Sequence, residues 1–144
     1  MRNDVIVYES KLKNVTNKIE LEIYKALEEA GGAVKSQVQQ NQRVDTGKTK
    51  GSWKHHVSMK EHAVYIGSSY VNAIYEEFGT GIHAIDENGM PSGKGRQTPW
   101  VYTPDDGSTF YRTRGKKPIR PLYNAMKLLR PKIAKYFKER FKNL

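Results

Sequence analysis

Residues 12–40 read LKNVTNKIELEIYKALEEAGGAVKSQVQQ, and this stretch does most to decide the fold class. Its apolar residues recur at steps of mostly three or four, the spacing of one face of an α-helix. They are Leu12, Val15, Ile19, Ile23, Ala26, Leu27, Ala30, Val34 and Val38. The pattern predicts a long amphipathic helix that ends near Asn41. Because each glycine costs about 1 kcal/mol relative to alanine in a helix interior, we expect a kink or break at Gly31-Gly32.

A second helical pattern lies at the other end of the chain. Pro118 opens this segment, and apolar residues follow at helical spacing, namely Ile119, Leu122, Tyr123, Met126, Leu129, Ile133, Tyr136, Phe137 and Phe141. Pro131 lies inside the pattern, where it lacks an amide hydrogen and crowds the carbonyl of Lys127. We therefore expect a kink or break near Arg130.

Between the two helices the pattern changes to that of short strands. Residues 51–67 approach period two, with Trp53, His55, Val57 and Met59 on one face and a turn at Lys60-Glu61. Two aromatic segments, Trp100–Thr103 and Thr109–Arg112, flank Pro104-Asp105-Asp106-Gly107-Ser108 and predict a hairpin. These segments indicate antiparallel β-structure.

The segment from Tyr70 to Phe78 predicts a short helix that Gly79 ends. Its apolar face would hold Tyr70, Ala73 or Ile74, and Phe78. Residues 79–97 contain five glycines and one proline, which predicts a mobile Gly-rich loop. The whole pattern predicts one α+β domain over residues 1–144, with a small antiparallel β-sheet packed by a long N-terminal helix and a C-terminal helix.

Composition limits the classes of function. The 144 residues include no cysteine, so a disulfide framework and a thiolate metal site are excluded. No apolar run approaches the roughly 20 residues of a membrane span, and Met1-Arg2-Asn3-Asp4 lacks the apolar region of a signal peptide. We expect a cytoplasmic site of synthesis and no membrane partner. The hydrophobic fraction of 37% is low, which suggests long loops or stabilisation by neighbouring subunits.

The net charge of +10 comes from one region. Residues 112–144 hold twelve Lys or Arg and one acid, Glu139. This asymmetry indicates a polyanionic neighbour, either nucleic acid or an acidic protein surface. The candidate contact face on the last helix consists of Lys127, Arg130, Lys132, Lys135, Lys138, Arg140 and Lys142.

Candidates for catalysis or metal binding are weak. His55 and His56 are adjacent, so in a strand they point to opposite faces and do not reach one metal. The pairs Glu28-Glu29, Glu76-Glu77 and Asp105-Asp106 are consecutive residues, whereas general acid–base pairs converge on one substrate. Because negative charge at a helix C-terminus opposes the macrodipole, we expect one of Glu76 and Glu77 to meet a basic partner. We predict no enzymatic activity, no cofactor and no metal.

Three separated segments resemble one protein family. The first is Val44-Asp45-Thr46-Gly47 with the following Lys48–Trp53, where Thr49 replaces the family's leucine. The second runs from Val64 to Gly81 and closes with Glu77-Phe78-Gly79-Thr80-Gly81. The third is Lys117–Ala125, in which the phenylalanine and second proline of the family pattern are altered or shifted. In this order the segments resemble the tail-completion, or head-tail-joining, minor structural proteins of siphophages and myophages.

The motif residues also have local physical roles. Asp45-Thr46-Gly47 has turn chemistry, because the Asp side chain can accept from backbone amides ahead and glycine tolerates positive φ. Phe78 is expected to place its ring in the core, with Gly79 stopping the helix. A buried ring predicts a loss of about 3–5 kcal/mol for Phe78→Ala.

The resemblance implies a structural role in a virion. Such proteins form homo-oligomeric rings at the phage neck, between head-closure or connector proteins and the tail terminator or tube, and a six- or twelve-subunit ring would suit. Assembly would take place in the host cytoplasm, with packaged DNA passing through the ring. The long first helix, loop 79–97 and the basic last helix are the expected contact surfaces. A small basic nucleic-acid-binding protein that uses the C-terminal helix remains the alternative.

Overall fold

The structure is a computed structural model that describes residues 2–43, 47–104, 107, 109–142 and 144, with side chains from residue 9 onward. Its elements in chain order are α1 (Arg2–Asn41), α2 (Lys48–Gly51), β1 (Trp53–Ser58), β2 (Ala63–Ser68), α3 (Val71–Phe78), a 3-10 helix (Gly81–His83), β3 (Trp100–Tyr102), β4 (Tyr111–Thr113) and α4 (Pro121–Phe141). In the described part of the chain, β1 pairs with β2 and β3 pairs with β4. The predicted α+β class, with long terminal helices and small antiparallel sheets, is confirmed.

The residues divide into two compact units. The first unit comprises residues 1–36, 54–67 and 128–144, and the second comprises residues 37–53 and 68–127. Both units therefore draw on α1 and on α4. A single domain over the whole chain stays a prediction.

In the first unit, α1 supplies the main apolar face. Ala26, Leu27, Ala30 and Val34 of α1 are buried, and Leu129 of α4 is buried as well. Burying a leucine or valine side chain contributes about 1.5–3 kcal/mol, so these few residues carry much of the unit's packing energy. The end of α1 near Asn41 is as predicted, whereas its start lies ten residues before the predicted Leu12.

Gly31 allows α1 to lie close against the β1–β2 sheet. The helix continues through Gly31-Gly32, so the expected break is wrong. A Cβ at Gly31 would lie 2.6 Å from Val64 Cγ2 and 2.9 Å from His55 Cδ2. The missing side chain therefore serves close helix–sheet packing, and this packing offsets the intrinsic helix cost of glycine.

Pro131 does not break α4 either, and the expected break near Arg130 is wrong. The helix is continuous from Pro121 to Phe141. Pro131 itself is exposed, while Leu129 is buried and Ile133 and Tyr136 are half-buried on its two sides. Burial of this apolar face continues past the proline and stabilises the helical conformation there.

The second unit joins the end of α1 to the start of α4. Val38 is fully buried, and the Trp53 indole Nε1–H donates to Oε1 of buried Gln42 over 3.2 Å. The Asn41 side chain donates from Nδ2 to the Pro121 carbonyl over 3.1 Å. Helix α4 begins at Pro121 rather than Pro118, because proline suits the first helical turn and Arg120 has a φ of 53°, outside the helical region.

The Gly-rich stretch 79–97 contains local structure. Asp86 Oδ1 accepts from the amides of Asn88 and Met90, both over 2.9 Å, and Ile85 pairs with Pro91 in an isolated bridge. Its mobility stays a prediction. The hairpin predicted after it is confirmed as antiparallel, with Trp100 opposite Thr113 and Tyr102 opposite Tyr111. Three residues of the predicted turn lie outside the described residues, namely Asp105, Asp106 and Ser108.

Candidate functional site

The end of α3 binds the start of α4 through the carboxylate of Glu77. Glu77 Oε2 accepts from the Leu122 amide over 2.8 Å, and Oε1 accepts from the Tyr123 amide over 3.1 Å. The first amides of a helix have no partner within the helix and carry its positive dipole end. The buried Glu77 carboxylate satisfies two of them with charge-assisted hydrogen bonds.

Glu76 holds the extended segment that precedes α4. Its carbonyl accepts from the amides of Ile119, over 2.9 Å, and Arg120, over 3.1 Å. Its buried carboxylate Oε1 forms an ion pair with the ammonium group of Lys116. The expectation that one of Glu76 and Glu77 meets a basic partner is confirmed at Glu76. Glu77 meets a helix N-terminus instead.

Gly79, Thr80 and Gly81 continue the same contact. The Thr80 amide donates to the Lys116 carbonyl over 2.9 Å, and the Lys116 amide donates to Thr80 Oγ1 over 2.8 Å. Gly79 ends α3, as predicted, with a φ of 70°. Gly81 has a φ of 61°, and a Cβ there would overlap the Arg114 carbonyl. We call the two interlocked segments, residues 76–81 and 114–123, the clasp.

Phe78 differs from its motif neighbour Glu77, because its side chain is exposed. It is 37% exposed, and Ile74 on the same helix is 57% exposed. The buried positions of α3 are Ala73, Glu76 and Glu77. The expectation of a Phe78 ring in the core is therefore wrong, because the buried face of α3 carries Glu76, which pairs with Lys116, and Glu77, which accepts from the first amides of α4.

The first motif segment is described in part. Val44, Asp45 and Thr46 lie outside the described residues. Gly47 has a φ of 81° and precedes the single-turn helix α2. Its positive φ fits the predicted turn role of glycine at this position.

Helix α4 presents basic side chains to solvent. Lys127 is exposed, as are five bases in the first unit, namely Arg130, Lys132, Lys135, Lys138 and Lys142. Among the described residues, none of these six has an ion-pair partner. Solvated lysines remain available to an external anionic partner.

Arg140 does not belong to this exposed face. It is half-buried beside α1, where Nη2 lies 3.3 Å from Glu29 Oε2 and Nη1 lies 3.8 Å from Glu22 Oε2. We therefore remove Arg140 from the predicted basic contact face. Helical spacing in the sequence already indicates this position, because residue 140 lies on the same side of α4 as Leu129, which is buried.

His55 is held by α1, and this contact is absent from the sequence prediction. His55 Nε2 lies 2.7 Å from Glu28 Oε2. The His55 hydrogen bond lowers the pKa of the Glu28 carboxyl group below its ordinary value. His56, one residue on, is exposed, as opposite strand faces require. Within the described residues, no group of three or more His, Asp or Glu side chains could hold a metal ion.

No protein-family model, curated protein or solved structure matches this chain. The resemblance to phage neck proteins therefore depends on the three segments and on how the described parts of them meet. Within the described residues, no helix has the length and apolar character needed to span a bilayer.

Proposed function

We propose that this protein is a structural component of a phage neck, a tail-completion protein that assembles into a ring and joins the head-closure proteins to the tail terminator or tube. Its role is mechanical, since subunits bind one another and their neighbours without a chemical step. Subunits in such a ring bind head-to-tail through heterologous interfaces.

The observation that carries this proposal is the clasp. The second and third resembling segments are separated by about forty residues in sequence, yet they bind each other through the Glu76 carbonyl and the Glu77 carboxylate. A chance resemblance of unrelated segments would give no reason for such contact. Their contact supports the interpretation of the two segments as parts of one structural pattern.

The exposed bases of α4 supply a second contact surface. We assign it to an acidic surface of a neighbouring virion protein. A lumen that bound DNA tightly would hinder passage of the genome, so a basic face is better placed against a protein ring above or below. Exposed charges steer association and are screened by salt.

The test is the mass of the purified protein by light scattering at low and moderate salt, followed by negative-stain imaging. We expect closed rings, or a monomer that attaches to purified tails and blocks their further polymerisation. A stable monomer that ignores tails would reject the proposal.

The exposed, unpaired bases of α4 also favour one alternative, a small basic nucleic-acid-binding protein. Phosphate contacts release counterions, so binding to duplex DNA would weaken steeply as salt rises. A monomer with this behaviour, and without affinity for tails, would establish the alternative.

A further inference from the structure

The β3–β4 hairpin carries three aromatic rings on one of its two faces. Residues directly opposite each other in an antiparallel pair share a face, and so do residues two apart along a strand. Tyr102 and Tyr111 are such partners, with ring centroids 6.0 Å apart, and Trp100 lies two residues before Tyr102. Both tyrosines are about half exposed, and Trp100 is partly exposed. We call Trp100, Tyr102 and Tyr111 the aromatic face.

Arginines lie at the open end of this hairpin, where Trp100 pairs with Thr113. The Arg96 guanidinium is 5.6 Å from the Trp100 ring centroid. An open cleft of about 340 Å³ adjoins the Trp100 end of the aromatic face. The cleft is lined by Pro99, Arg112, Thr113 and Arg114. Among the described residues, none of these three arginines has an ion-pair partner, so their charge is available to a ligand.

The region around the hairpin has a positive net charge. Residues 94–114 hold four bases and two acids, which gives a net charge of +2. The two acids, Asp105 and Asp106, lie in sequence between the strands and outside the described residues. Arg96 and Arg114 instead flank the strands at the open end. The open end of the hairpin therefore suits an anionic ligand.

One class of ligand uses both the rings and the arginines. Single-stranded nucleic acid stacks its bases on aromatic side chains and places its phosphates on basic groups. A proline-rich peptide also docks on aromatic rings, but it brings no phosphates for the arginines to bind. Duplex DNA brings phosphates, but its bases are stacked within the helix and are not free to contact the rings.

We propose that the aromatic face binds single-stranded nucleic acid, with bases stacked on Tyr102 and Tyr111 and phosphates in the arginine-lined cleft beside Trp100. The Arg96 guanidinium offers a further planar surface on which a base stacks. This activity goes beyond the proposed neck role and does not depend on it. The two are compatible, because a duplex genome keeps its bases stacked and passes without being held by the rings.

The first experiment removes the rings. The full chain is titrated into a fluorescein-labelled oligothymidine of about twelve nucleotides, and binding is followed by fluorescence anisotropy. The stacking variant is Tyr102→Ala with Tyr111→Ala. Its control, Val101→Ala with Phe110→Ala, removes two exposed apolar side chains outside the aromatic face. We expect the stacking variant to bind at least about tenfold more weakly than the wild type, and the control to bind as the wild type does.

The second experiment removes charge from the cleft. The charge variant is Arg112→Gln with Arg114→Gln, and its control is Lys54→Gln with Lys60→Gln, at exposed positions elsewhere. For single strands the slope of log affinity against log salt is about 0.7 per phosphate contact, so the charge variant should show a shallower slope than its control. Circular dichroism melting checks that every variant is folded.

Three outcomes would overturn the inference. Absent oligothymidine binding, or an equal loss in the stacking variant and its control, would remove the aromatic face as the site. Tighter binding of a duplex of the same length would show that phosphates alone are bound. Binding of a proline-rich peptide but not of oligothymidine, lost in the stacking variant, would assign the face to a protein partner. Ring formation and tail attachment are measured separately, so each of these outcomes leaves the neck proposal standing.

Discussion

Glu77 satisfies amides of a helix that begins more than forty residues further along the chain. Replacing it with alanine leaves the partly buried Leu122 and Tyr123 amides without their acceptor. The expected loss is about 2 kcal/mol in the free energy of unfolding, measured by urea denaturation. Glu77→Gln keeps one carbonyl acceptor and should lose less. Glu139→Ala, at an exposed acid of α4, is the control, and an equal effect of the two alanine variants would contradict the capping role.

Gly81 combines a positive φ with a close approach to backbone. Gly81→Ala should destabilise the protein by about 2–4 kcal/mol, because a side chain is strained at this φ and meets the Arg114 carbonyl. Gly67→Ala is a matched control, since a Cβ there meets nothing within 4 Å. The midpoints of urea unfolding of the two variants give the comparison, and similar midpoints would refute the close contact.

Phe78 lies beside Glu77 but has a different energetic role. Because its ring is partly exposed, Phe78→Ala should cost about 1–2 kcal/mol, below the 3–5 kcal/mol of a fully buried ring. Trp53→Ala provides the buried-aromatic comparison, since Trp53 is only 5% exposed. A melting-temperature loss for Phe78→Ala as large as that for Trp53→Ala would restore Phe78 to the core.

At the scale of elements, periodicity predicted both long helices and the strands between them. It could not predict that α1 and α4 continue through Gly31 and Pro131. Helix propensity depends on the residue at each position and predicts a break at both. The helices continue because of tertiary packing, which is close contact with the β1–β2 sheet at Gly31 and burial of apolar side chains on both sides of Pro131. The sequence does indicate where α4 begins, because proline at position 121 is well suited to the first turn of a helix.

The contact of α1 with β1 gives a pH dependence. His55 lowers the pKa of Glu28 in the folded protein, so the ionised carboxylate stabilises the fold above the unfolded pKa of about 4.3. This contribution is lost as pH falls through the lower, folded pKa. Glu28→Gln should therefore reduce stability at pH 7 and make little difference at the acid end of the titration, as followed by urea unfolding at several pH values. A stability gap that stays constant with pH would rule out this carboxylate as the cause.

At the scale of the whole molecule, the sequence resemblance located the clasp residues but not their function in the fold. Glu77 reads locally as an unfavourable charge at a helix C-terminus, and only the tertiary approach of Leu122 and Tyr123 makes it favourable. The basic contact face of α4 stays a prediction, and one of its predicted members, Arg140, forms an ion pair with Glu29 of α1. Charge composition locates an excess of bases, but pairing within the fold decides which of them are available to a partner.

The remaining bases make a prediction about assembly that is separate from ring formation. Changing Lys132, Lys135 and Lys138 to Glu should weaken attachment to purified tails by at least about tenfold at low salt, since exposed charge pairs act within a Debye length of roughly 10 Å. The variant's own oligomer mass should be unchanged, because only bases that we assign to a neighbouring protein are altered. The control changes Lys54, Lys60 and Lys94 to Glu, which alters net charge equally at other exposed sites. Equal losses of tail attachment in both triple variants would mean that net charge, rather than the α4 face, governs joining, whereas a loss confined to α4 would identify it as the surface that meets an acidic neighbour.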